Sequence, residues 1–314
     1  MNENWYVILN PRAGSGKTMS EWLPAEKKMK KLGIGFTLAY TNYAGHAVDL
    51  ARDAAAQGYR KILAVGGDGS LHEVFTGIMR YCDATMTPPE EFYMGVAPIG
   101  SGNDWIKSLG VENDVESVLK LIQKNSFGKM DVIKLSSYGA ISYMANIGGV
   151  GFDSHVCERA NLQKSYGWRN KMLYLRALRY TMFHTRAINV KILSDSEVFF
   201  EGKCYSIALG NGKYSGGGMR QVPKADINDG LLDAMVVPKL PLLSLMKEIP
   251  RLFCGNLDKS DKILFTRCKE LQIIPLDERS RDIIEVDGEI EGRLPVTISV
   301  TGKRINVIKG LSKI

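Results

Sequence analysis

The sequence predicts an α/β domain over residues 1–128, followed by a β-rich domain over residues 129–300. Up to residue 128, short apolar runs alternate with helical segments, an order that is typical of a parallel sheet covered by helices. Beyond residue 129, short runs of Val, Ile, Tyr and Leu are separated by glycines, which indicates a β-rich domain. The length of 314 residues also favours two domains over one.

The elements of the first domain follow one another in a βαβα order. We expect its strands at 5–9, 36–40, 62–65 and 94–97 and its helices at 18–32, 44–57 and 71–79. In the second domain the extended runs are 130–136, 140–150, 188–193, 198–210, 231–237, 271–275, 283–286 and 296–300, with helices near 155–183 and 241–254. Ligands of such α/β sheets bind at the carboxyl ends of the strands, where the glycine-rich segments of this chain fall.

The net charge of +7 favours anionic partners: nucleotides, nucleic acid or acidic lipid headgroups. Five cysteines, an odd number without a CxxC pair, argue against a disulfide framework or a zinc site and for a reducing compartment. The N-terminus lacks the pattern of a signal peptide, and the longest apolar run, 240–253, is interrupted by charges and a proline. We therefore expect a cytoplasmic protein that can still contact a membrane surface.

The clearest local motif is Gly66-Gly67-Asp68-Gly69-Ser70, which lies between a predicted strand and a predicted helix. Glycines allow a phosphate to approach the backbone closely, and a helix N-terminus offers free N–H groups. Asp68 would repel a bare phosphate but fits a nearby Mg²⁺ ion. Taken alone, the motif is better explained as a tight turn in which Asp68 caps a helix.

Two similar turns follow two other predicted strands, at residues 10–17 and 98–104. Three such turns would converge on one edge of the sheet. The segment from Gly14 to Thr18 suggests a P-loop, but Pro11 stands where the Walker A motif requires glycine, so we reject a P-loop. Lys17 either faces phosphate or is solvated. The dinucleotide fingerprint G-x-G-x-x-G is absent from the first turn, which argues against a Rossmann dehydrogenase.

These turns, together with later segments in the same order, resemble the diacylglycerol kinase catalytic-domain family in its bacterial soluble form, which is related to the sphingosine and ceramide kinases. The matching segments are Asn10–Lys17, Gly66–Ser70 with Glu73, Gly100–Asp104, Asn146–Gly151, Asn211-Gly212, Gly216–Gly218, Pro223, Ala225, Asn228–Asp233 and Asp287-Gly288-Glu289. The resemblance covers almost the whole chain. It implies a fold like that of NAD kinase and diacylglycerol kinase: a nucleotide-binding α/β domain, a β-sandwich lipid-substrate domain and an active site in the cleft between them. It also implies that residues 301–314 return to the N-terminal domain.

The resemblance also implies roles for individual residues. Those expected to contact ATP are Asn10, Pro11, Arg12, Ala13, Gly14, Thr41, Gly66, Gly67, Asp68, Gly69, Ser70, Glu73, Ser101 and Asn103. Those expected to hold Mg²⁺ are Asp226, Asp229 and Leu231, with Asp68 and Asp131 in a water-bridged network around the ion. The chain departs mildly from the family pattern, since Ser70 and Ser101 replace threonine and His72 replaces asparagine, which puts one polar nucleotide contact in doubt.

The acids Asp287 and Glu289 flank Gly288 after a predicted strand. Phosphoryl transfer depends on positioning and charge neutralisation, and a carboxylate can accept the proton of the attacking hydroxyl. In isolation, Asp-Gly-Glu is better explained as a hairpin turn with two solvated acids. The ordered set of motifs favours a catalytic base, and the sequence leaves open which of the two acids it is.

The stretch 161–190 contains six Lys and Arg residues, no acidic residue and several aromatic residues, among them Tyr166, Trp168 and Tyr174. Such a stretch suits an anionic bilayer surface, although a helix with its charges in water explains it equally well. The family resemblance favours membrane contact. A basic helix could also bind nucleic acid, but the sequence has no recognised nucleic-acid motif, so we expect none.

We therefore expect an ATP- and Mg²⁺-dependent lipid kinase of phospholipid metabolism, with diacylglycerol as the first candidate acceptor. Two alternatives remain: an NAD kinase with a soluble substrate, and a non-catalytic nucleotide or lipid sensor. The first shares the Gly-Gly-Asp-Gly turn, but the later segments fit lipid kinases better. The sequence does not identify the lipid, and it leaves the oligomeric state open, a homodimer included.

Overall fold

The structure is a computed structural model that describes residues 2–100, 102–165 and 172–310. The chain divides into two compact units. Unit 1 comprises Met1–Val132 and Gly302–Ile314, and unit 2 comprises Ile133–Thr301. The chain thus leaves unit 1, forms unit 2 and returns to unit 1 at its C-terminal end.

Unit 1 contains a parallel sheet and five described helices. Its strands are β1 (Asn2–Leu9), β2 (Phe36–Tyr40), β3 (Tyr59–Gly66) and β4 (Tyr93–Pro98), in the spatial order β4-β3-β1-β2. Its helices are α1 (Thr18–Lys31), α2 (His46–Ala56), α3 (Asp68–Thr85), α4 (Asp104–Ser108) and α5 (Val115–Gln123). Ile62 to Val65 of β3 form an unbroken buried run, which is typical of a parallel strand covered on both faces.

Small residues let the helices of unit 1 approach one another. The buried face of α2 is lined by alanines, among them Ala47, Ala51 and Ala54, at helical spacing. A Cβ atom on Gly77 of α3 would lie 2.3 Å from the Val48 carbonyl oxygen of α2. The backbone of α2 therefore packs directly against α3, the helix that follows the glycine-rich turn.

Unit 2 is dominated by antiparallel strands. The remaining strands of the chain are β5 (Phe127–Ser137), β6 (Ala140–Met144), β7 (Ile147–Gly151), β8 (Ile188–Ser194), β9 (Glu197–Gly210), β10 (Tyr214–Ser215), β11 (Met219–Arg220), β12 (Leu232–Pro238), β13 (Leu264–Cys268), β14 (Glu270–Pro275), β15 (Ile283–Val286), β16 (Glu289–Arg293) and β17 (Val296–Ile308). The helices are α6 (Phe152–Ser165), α7 (Met172–His184) and α8 (Leu242–Cys254). The spatial order is β16-β15-β7-β9-β8-β14-β17, and β12 pairs with β9 and β13.

The core of unit 2 follows the alternation expected of strands with one buried face. In β8, for example, Ile188, Val190 and Ile192 all belong to one buried apolar cluster, and Leu271 and Ile273 of β14 join it in the same way. The α/β N-terminal unit and the β-rich C-terminal unit confirm the predicted fold class. The sequence placed a helix start at Asn103-Asp104, where α4 begins, without predicting its end. It did not predict the helix α5 or the strands β10, β11, β13 and β16.

The strands β5 and β17 connect the two units, and both contribute residues to unit 1. The end of β17 pairs in parallel with β4, where Asn306 lies opposite Tyr93. Asp131 of β5 is 1% exposed, and its carboxylate lies 2.8 Å from the Arg304 guanidinium of β17. Asp131 is thus a buried ion-pair partner within unit 1, and its place in a magnesium network stays a prediction.

Among the residues that the structure describes, no helix is long and apolar enough to cross a membrane.

Candidate functional site

The expected nucleotide residues of unit 1 gather at the carboxyl edge of its parallel sheet. Asn10 follows β1, and its N–H group donates to Val65 of β3 at 3.1 Å. Thr41 follows β2 and donates to Leu9 of β1 at 2.9 Å. The N–H group of Ile99, after β4, donates to the Gly66 carbonyl at 2.8 Å. Backbone hydrogen bonds thus hold the ends of all four strands at one edge, where ligands of such sheets bind.

The turns after β3 and β4 touch each other through their backbones. A Cβ atom on Gly100 would lie 2.7 Å from the Gly67 Cα atom, and one on Gly66 would lie 2.2 Å from Ser70 Oγ. Only glycine fits these two positions without a shift of its neighbours. Gly67 is also the N-cap of α3 and has no side chain with which to satisfy the first N–H groups of that helix. The geometry provides a glycine-lined helix N-terminus, which is a favourable place for a phosphate group.

The side chain of Asp68 connects the two turns. Its Oδ2 atom accepts a hydrogen bond from the Asp104 N–H group at 3.2 Å, and its Oδ1 atom accepts one from the Trp105 N–H group at 3.3 Å. Asp68 is therefore the first residue of α3 and at the same time caps the start of α4. The sequence alone suggested a tight turn in which Asp68 caps a helix. Asp68 does cap a helix, but that helix is α4, which follows the next turn, and not α3.

Asn103 has a buried acceptor atom beside the glycines. Its backbone is left-handed, with φ of 49°, and its side-chain amide donates to the Gly100 carbonyl at 3.2 Å and to Asn113 Oδ1 at 2.7 Å. Its own Oδ1 atom is buried and accepts no hydrogen bond from any residue that the structure describes. This oxygen could accept a hydrogen bond from a ligand or contact a cation. Ser101, expected to contact ATP, lies outside the described residues.

The loop 10–14 packs onto the same edge. The Asn10 carboxamide oxygen accepts from the Arg12 N–H group at 2.9 Å, and its nitrogen lies 3.5 Å from Ser70 Oγ. Gly14 has a left-handed φ of 54°, and a Cβ atom there would lie 3.0 Å from the Ile99 carbonyl oxygen. The loop that carries Pro11 and Ala13 is thus held between the turns after β3 and β4.

Glu73 has a structural partner of its own. Its two carboxylate oxygens accept hydrogen bonds from the N–H groups of Gly45, at 3.0 Å, and Ala47, at 3.1 Å. Glu73 therefore caps α2 and fixes the loop that follows Thr41. In this arrangement Glu73 shapes the carboxyl edge of the sheet by positioning this loop, and a direct contact of Glu73 with ATP stays a prediction.

In unit 2, Asp287 and Gly288 form the two-residue turn of the β15–β16 hairpin. Val286 pairs with Glu289 across the turn, and both central residues have positive φ, 52° at Asp287 and 93° at Gly288. These angles define a type I′ turn, for which Asp-Gly is a preferred sequence. The hairpin brings the two expected acids to one place.

The Asp287 carboxylate is buried and held by backbone N–H groups. Its Oδ1 atom accepts from Asn146 at 2.8 Å and from Ile147 at 3.1 Å, and its Oδ2 atom accepts from Ala145 at 2.9 Å. Three N–H donors stabilise a carboxylate strongly and fix its orientation. The Glu289 side chain, by contrast, is exposed. The two acids that look equivalent in the sequence therefore occupy different environments.

Asn146 connects the Asp287 turn to the glycine-rich segment 211–218. Its side-chain amide donates to the Tyr214 carbonyl at 2.9 Å, and its own carbonyl accepts from Asn211 and Gly212, both at 2.9 Å. The sequence marked Asn146 as part of a matching segment but gave it no role. Its position at the start of a glycine-rich strand was the only available signal.

Helix α6 is hydrogen-bonded to the β15–β16 hairpin at two places, the turn and the residue before β15. Near the turn, Cys157 Sγ and the Asn161 side-chain amide both donate to the Gly288 carbonyl at 2.9 Å. At the start of β15, His155 Nε2 lies 2.7 Å from Asp282 Oδ1. The hydrogen bond to Asp282 raises the pKa of His155, against the opposing effect of burial. These contacts were not predictable from sequence because the partners are more than a hundred residues apart.

A further carboxyl group, partly buried, lies close to this hairpin. Asp153 accepts hydrogen bonds from Ser206 Oγ and from the Gln221 side-chain amide, the latter at 2.6 Å. Burial raises the pKa of Asp153, because the charged form loses its hydration, while these two hydrogen bonds act in the opposite direction. A Cβ atom on Gly149 would lie 3.0 Å from Asp153 Cβ and 3.5 Å from Glu285 Oε1. Asp153 and Glu285 therefore share one side of the β7 backbone, near the Asp287 turn.

The expected metal residues occupy one loop of unit 2, but they already have partners. The Asp226 carboxylate accepts from the Asn228 N–H group at 3.1 Å, and that of Asp229 accepts from the Leu231 N–H group at 3.0 Å. Asp229 also forms an ion pair with Arg267. Within the described part of the chain, no group of three or more His, Cys, Asp or Glu side chains is arranged to hold a metal ion. Mg²⁺ is often bound by only one or two carboxylates, with water and phosphate oxygens as its other ligands. Asp226 and Asp229 fit this kind of binding and do not fit a site made of protein ligands alone.

Arg267 was not anticipated. Its guanidinium bridges Asp229 and Asp233, with 3.2 Å to the Asp233 carboxylate. Burial raises the pKa of Asp233, and the charge of Arg267 opposes that rise. A cation at Asp229 would therefore have to share the carboxylate with this arginine.

The stretch expected to contact lipid corresponds to α6, α7 and the connection between them. Residues 166–171, which include Tyr166 and Trp168, lie outside the described residues, as do the side chains of residues 172–175, including Tyr174. In the described part, Arg159 lies over the Tyr180 ring at 4.2 Å from its centroid, and Leu162 and Tyr180 are both 45% exposed.

Comparison with known proteins adds family membership to this geometry. Residues 4–135 match the diacylglycerol kinase catalytic domain, and residues 146–309 match the YegS C-terminal NAD kinase beta sandwich-like domain. A diacylglycerol kinase of Staphylococcus aureus is 26% identical over 315 residues, which cover 98% of this chain and 92% of that protein.

Solved structures share the fold. The crystal structure of a diacylglycerol kinase from Bacillus anthracis superposes with a TM-score of 0.70 at 20% identity, covering 99% of this chain and 98% of that one. A yeast NADH kinase complexed with NADH superposes with a TM-score of 0.52 at 10% identity, covering 100% of this chain and 85% of that one. At these identities the structures establish the fold alone.

The two matched domains, one catalytic and one sandwich-like, define a protein of the lipid kinase class and confirm the resemblance found in the sequence. Together they account for nearly all of the described residues. The chain belongs to the diacylglycerol kinase catalytic-domain family.

The pair His155–Asp282 predicts a pH-dependent contribution to stability. The pKa of His155 is raised in the folded state, so the pair stabilises the fold fully below the ordinary histidine pKa of about 6.5, and this contribution is lost as pH rises through the folded pKa. Glu158 strengthens the effect and Arg293 weakens it. Thermal unfolding of wild type, His155→Gln, Asp282→Asn and the double variant would give the coupling energy at each pH.

We expect a coupling energy of about 1 kcal/mol or less near pH 6, since His155 is partly exposed, and a smaller one above the folded pKa. A coupling energy that stays constant or grows with pH would contradict this assignment.

Proposed function

We propose that the protein is an ATP- and Mg²⁺-dependent lipid kinase that transfers the γ-phosphate of ATP to a hydroxyl of diacylglycerol. The products are phosphatidic acid and ADP. The observation that carries the proposal is the edge of unit 1, where three glycine-rich turns surround the start of α3. Family membership supports the same reaction class. The cytoplasmic location and the peripheral contact with an anionic membrane predicted from the sequence belong to this proposal.

Unit 1 would bind the nucleotide. Gly66 and Gly100 have no room for a Cβ atom, so they let the turns after β3 and β4 pack against each other. Gly67, the N-cap of α3, places no side chain over the first N–H groups of that helix, where a phosphate could bind. The N–H groups at the start of α3, an 18-residue helix, favour negative charge through the helix dipole. The buried Asn103 Oδ1 atom would receive a hydrogen bond from the nucleotide or lie near its cation. The loop 10–14 would cover the phosphates.

Mg²⁺, when bound, would neutralise charge on the phosphate oxygens. In unit 1, Asp68 would hold a cation directly or through water. In unit 2, Asp226, Asp229 and the Leu231 backbone are the proposed oxygen donors. The chemistry of the donor set fits, because carboxylate and carbonyl oxygens are preferred ligands of this ion. The hydrogen bonds from α4 would fix the orientation of the Asp68 carboxylate.

Unit 2 would supply the base. In the reaction, the acceptor oxygen forms a bond to the γ-phosphorus, the bond to the oxygen that bridges to the β-phosphate breaks, and ADP leaves with that electron pair. The hydroxyl proton passes to a carboxylate at the Asp287-Gly288-Glu289 turn. The three N–H groups on Asp287 would keep its carboxylate oriented for this step. Glu289 is the second candidate for the base, since its exposed side chain can reach solvent and substrate alike.

The decisive test is transfer of labelled γ-phosphate from Mg²⁺-ATP to a panel of acceptors. Diacylglycerol, monoacylglycerol, sphingosine and ceramide would be presented in mixed micelles, with NAD in parallel. We expect label in phosphatidic acid. Label in another lipid would keep the reaction class and correct the acceptor, label in NADP alone would replace the lipid by a soluble substrate, and absence of label with retained ATP binding would indicate a sensor.

Replacing each acid of the hairpin in turn tests whether the buried Asp287 or the exposed Glu289 is the base. We expect Asp287→Asn to reduce kcat at least about 100-fold and also to lower stability by about 1–3 kcal/mol, because an amide cannot accept all three N–H groups. Glu289→Gln should leave stability unchanged and should reduce kcat only if Glu289 is the base. Steady-state kinetics and urea unfolding of both variants would be compared with Glu197→Gln, an exposed acid on β9. Normal turnover in both variants would exclude the hairpin as the source of the base.

The role of Asp68 can be separated from its capping of α4. We expect Asp68→Ala to lower kcat/KM at least about 100-fold and to raise the Mg²⁺ concentration needed for half-maximal activity. The matched control is Asp114→Ala, since Asp114 caps α5 through the Ser117 N–H group at 2.7 Å. Both variants lose a cap, worth about 0.5–2 kcal/mol of stability. If both had the same Mg²⁺ dependence as wild type, Asp68 would be a cap only.

A further inference from the structure

Helix α8 has two faces of opposite character. One face is turned into unit 2: Glu248 is 8% exposed, and Leu252 packs against an apolar cluster that includes Val222 and Leu257. Leu245, about 20° from Leu252 around the helix, is partly buried. This face follows the spacing i, i+3, i+7 that is typical of a helix packed on a core.

The opposite face carries large apolar side chains in water. Leu243 is 77% exposed, Met246 is 52% exposed and Phe253 is 60% exposed, and the exposed Pro250 lies between them. At about 100° per residue, these four positions fall within an arc of about 80°. We call this set of four residues the α8 stripe. Single exposed apolar residues need no explanation, but an aligned row of them on a helix indicates an interaction surface.

The charges beside the α8 stripe have one sign. Lys247 and Arg251 are exposed and lie along one side of it, and the exposed Lys239 precedes the helix. The one acidic residue of α8, Glu248, is buried on the opposite face, where it lies 3.6 Å from the Arg251 guanidinium. The outward surface of α8 is therefore apolar with a basic border.

The apolar stripe and its basic border together indicate which kind of partner binds α8. An apolar helix face bordered by lysine and arginine suits the interface of a bilayer that contains anionic phospholipid, because the side chains enter the acyl boundary while the cations meet the headgroups. A second copy of the chain fits less well. In a twofold dimer that pairs the α8 stripes antiparallel, Lys247 and Arg251 of one copy would lie on the same side as the same cations of the other, which is unfavourable.

The helix is also connected to the Asp287 turn. Gly255 ends α8, and a Cβ atom there would lie 2.5 Å from Arg220 Cδ. The Arg220 guanidinium lies 5.3 Å from the centroid of the Tyr214 ring, and the Tyr214 carbonyl accepts from Asn146, whose N–H group binds Asp287. The end of α8 that carries Phe253 is thus packed against Arg220, and the nearby Tyr214 is hydrogen-bonded to Asn146, a partner of Asp287.

We propose that α8 is a membrane-docking helix, which binds the surface of anionic bilayers through the α8 stripe and its basic border. It is distinct from the stretch 161–190 that the sequence suggested. The inference rests on the proposed function in one respect, since the lipid substrate is the reason why the protein would bind to a bilayer. Binding to vesicles is measurable without turnover, so the two proposals can fail separately.

The test is co-sedimentation with phosphatidylcholine vesicles that contain roughly a third phosphatidylglycerol, with pure phosphatidylcholine in parallel. We expect wild type to bind the anionic vesicles and to dissociate as salt is added. The triple variant Leu243→Ser, Met246→Ser, Phe253→Ser should lose at least about tenfold in partitioning, since three apolar side chains no longer enter the interface. The control Met86→Ser, Val198→Ser removes two equally exposed apolar residues elsewhere, 81% and 56% exposed, and should bind within about twofold of wild type.

The charge of the border is tested separately. Lys247→Glu should weaken binding to anionic vesicles about fivefold or more, whereas Lys124→Glu, at an exposed lysine of unit 1, should change it little. Phe253→Trp should also show fluorescence quenching by brominated phospholipid in anionic vesicles. Unaltered partitioning of the triple variant, or absence of quenching at position 253 in vesicle-bound protein, would overturn the proposal.

A further measurement examines the alternative partner. If analytical ultracentrifugation found a wild-type dimer that the triple variant converts to a monomer, with equal vesicle binding by both, the α8 stripe would be a dimer interface and the proposal would be wrong. Turnover adds one more comparison. The triple variant should phosphorylate dispersed short-chain diacylglycerol as wild type does and lose activity only on long-chain diacylglycerol in vesicles. Equal loss on both forms would contradict a docking role.

Discussion

Three backbone N–H groups converge on the Asp287 carboxylate, and the arrangement around the expected catalytic turn of unit 2 depends on this interaction. Ala145, Asn146 and Ile147 could not otherwise satisfy these donors in a buried place without cost. These three hydrogen bonds hold the start of β7 against the β15–β16 hairpin. Asn146, one of the three donors, also holds the segment 211–214 in place through its side chain and its carbonyl group. Helix α6 then holds the other side of the turn through the Gly288 carbonyl. One acid thus organises four segments that are distant in sequence.

Sequence reasoning succeeded where the signal was local. The parallel strands of unit 1 read as continuous apolar runs, and Phe36–Tyr40 of β2 was predicted with the bounds that the structure has. The Asp287-Gly288 turn was equally visible, because Asp-Gly between strands is a hairpin signal. The solvation of its acids was not predictable. Asp287 is buried by partners about 140 residues earlier in the chain, and no local pattern reports such a contact.

The same limit explains the other residues whose environment the sequence did not reveal. Asp68 and Glu73 lie in a motif that predicts phosphate binding, yet each also caps a helix that begins elsewhere, α4 for Asp68 and α2 for Glu73. Asp229 lies in a segment matched to a metal role, yet Arg267 from β13 reaches it. The short helix α4 and the polar strand β16 lack the periodicity that identifies longer elements. Local patterns identified the turns, and long-range partners decided what each side chain contacts.

The two units use backbone N–H groups in opposite ways, and this difference bears on where a phosphate can bind. In unit 2, the N–H groups of residues 145–147 form a concave anion site, but the protein's own Asp287 already fills it. A phosphate there would have to displace a buried carboxylate. In unit 1, the N-cap of α3 is Gly67, which has no side chain to bind the first N–H groups of the helix, and the Asp68 carboxylate accepts hydrogen bonds from α4 instead. The N-terminus of α3 and the glycine-lined turns beside it therefore favour unit 1 for the nucleotide phosphates and leave unit 2 to orient the acids.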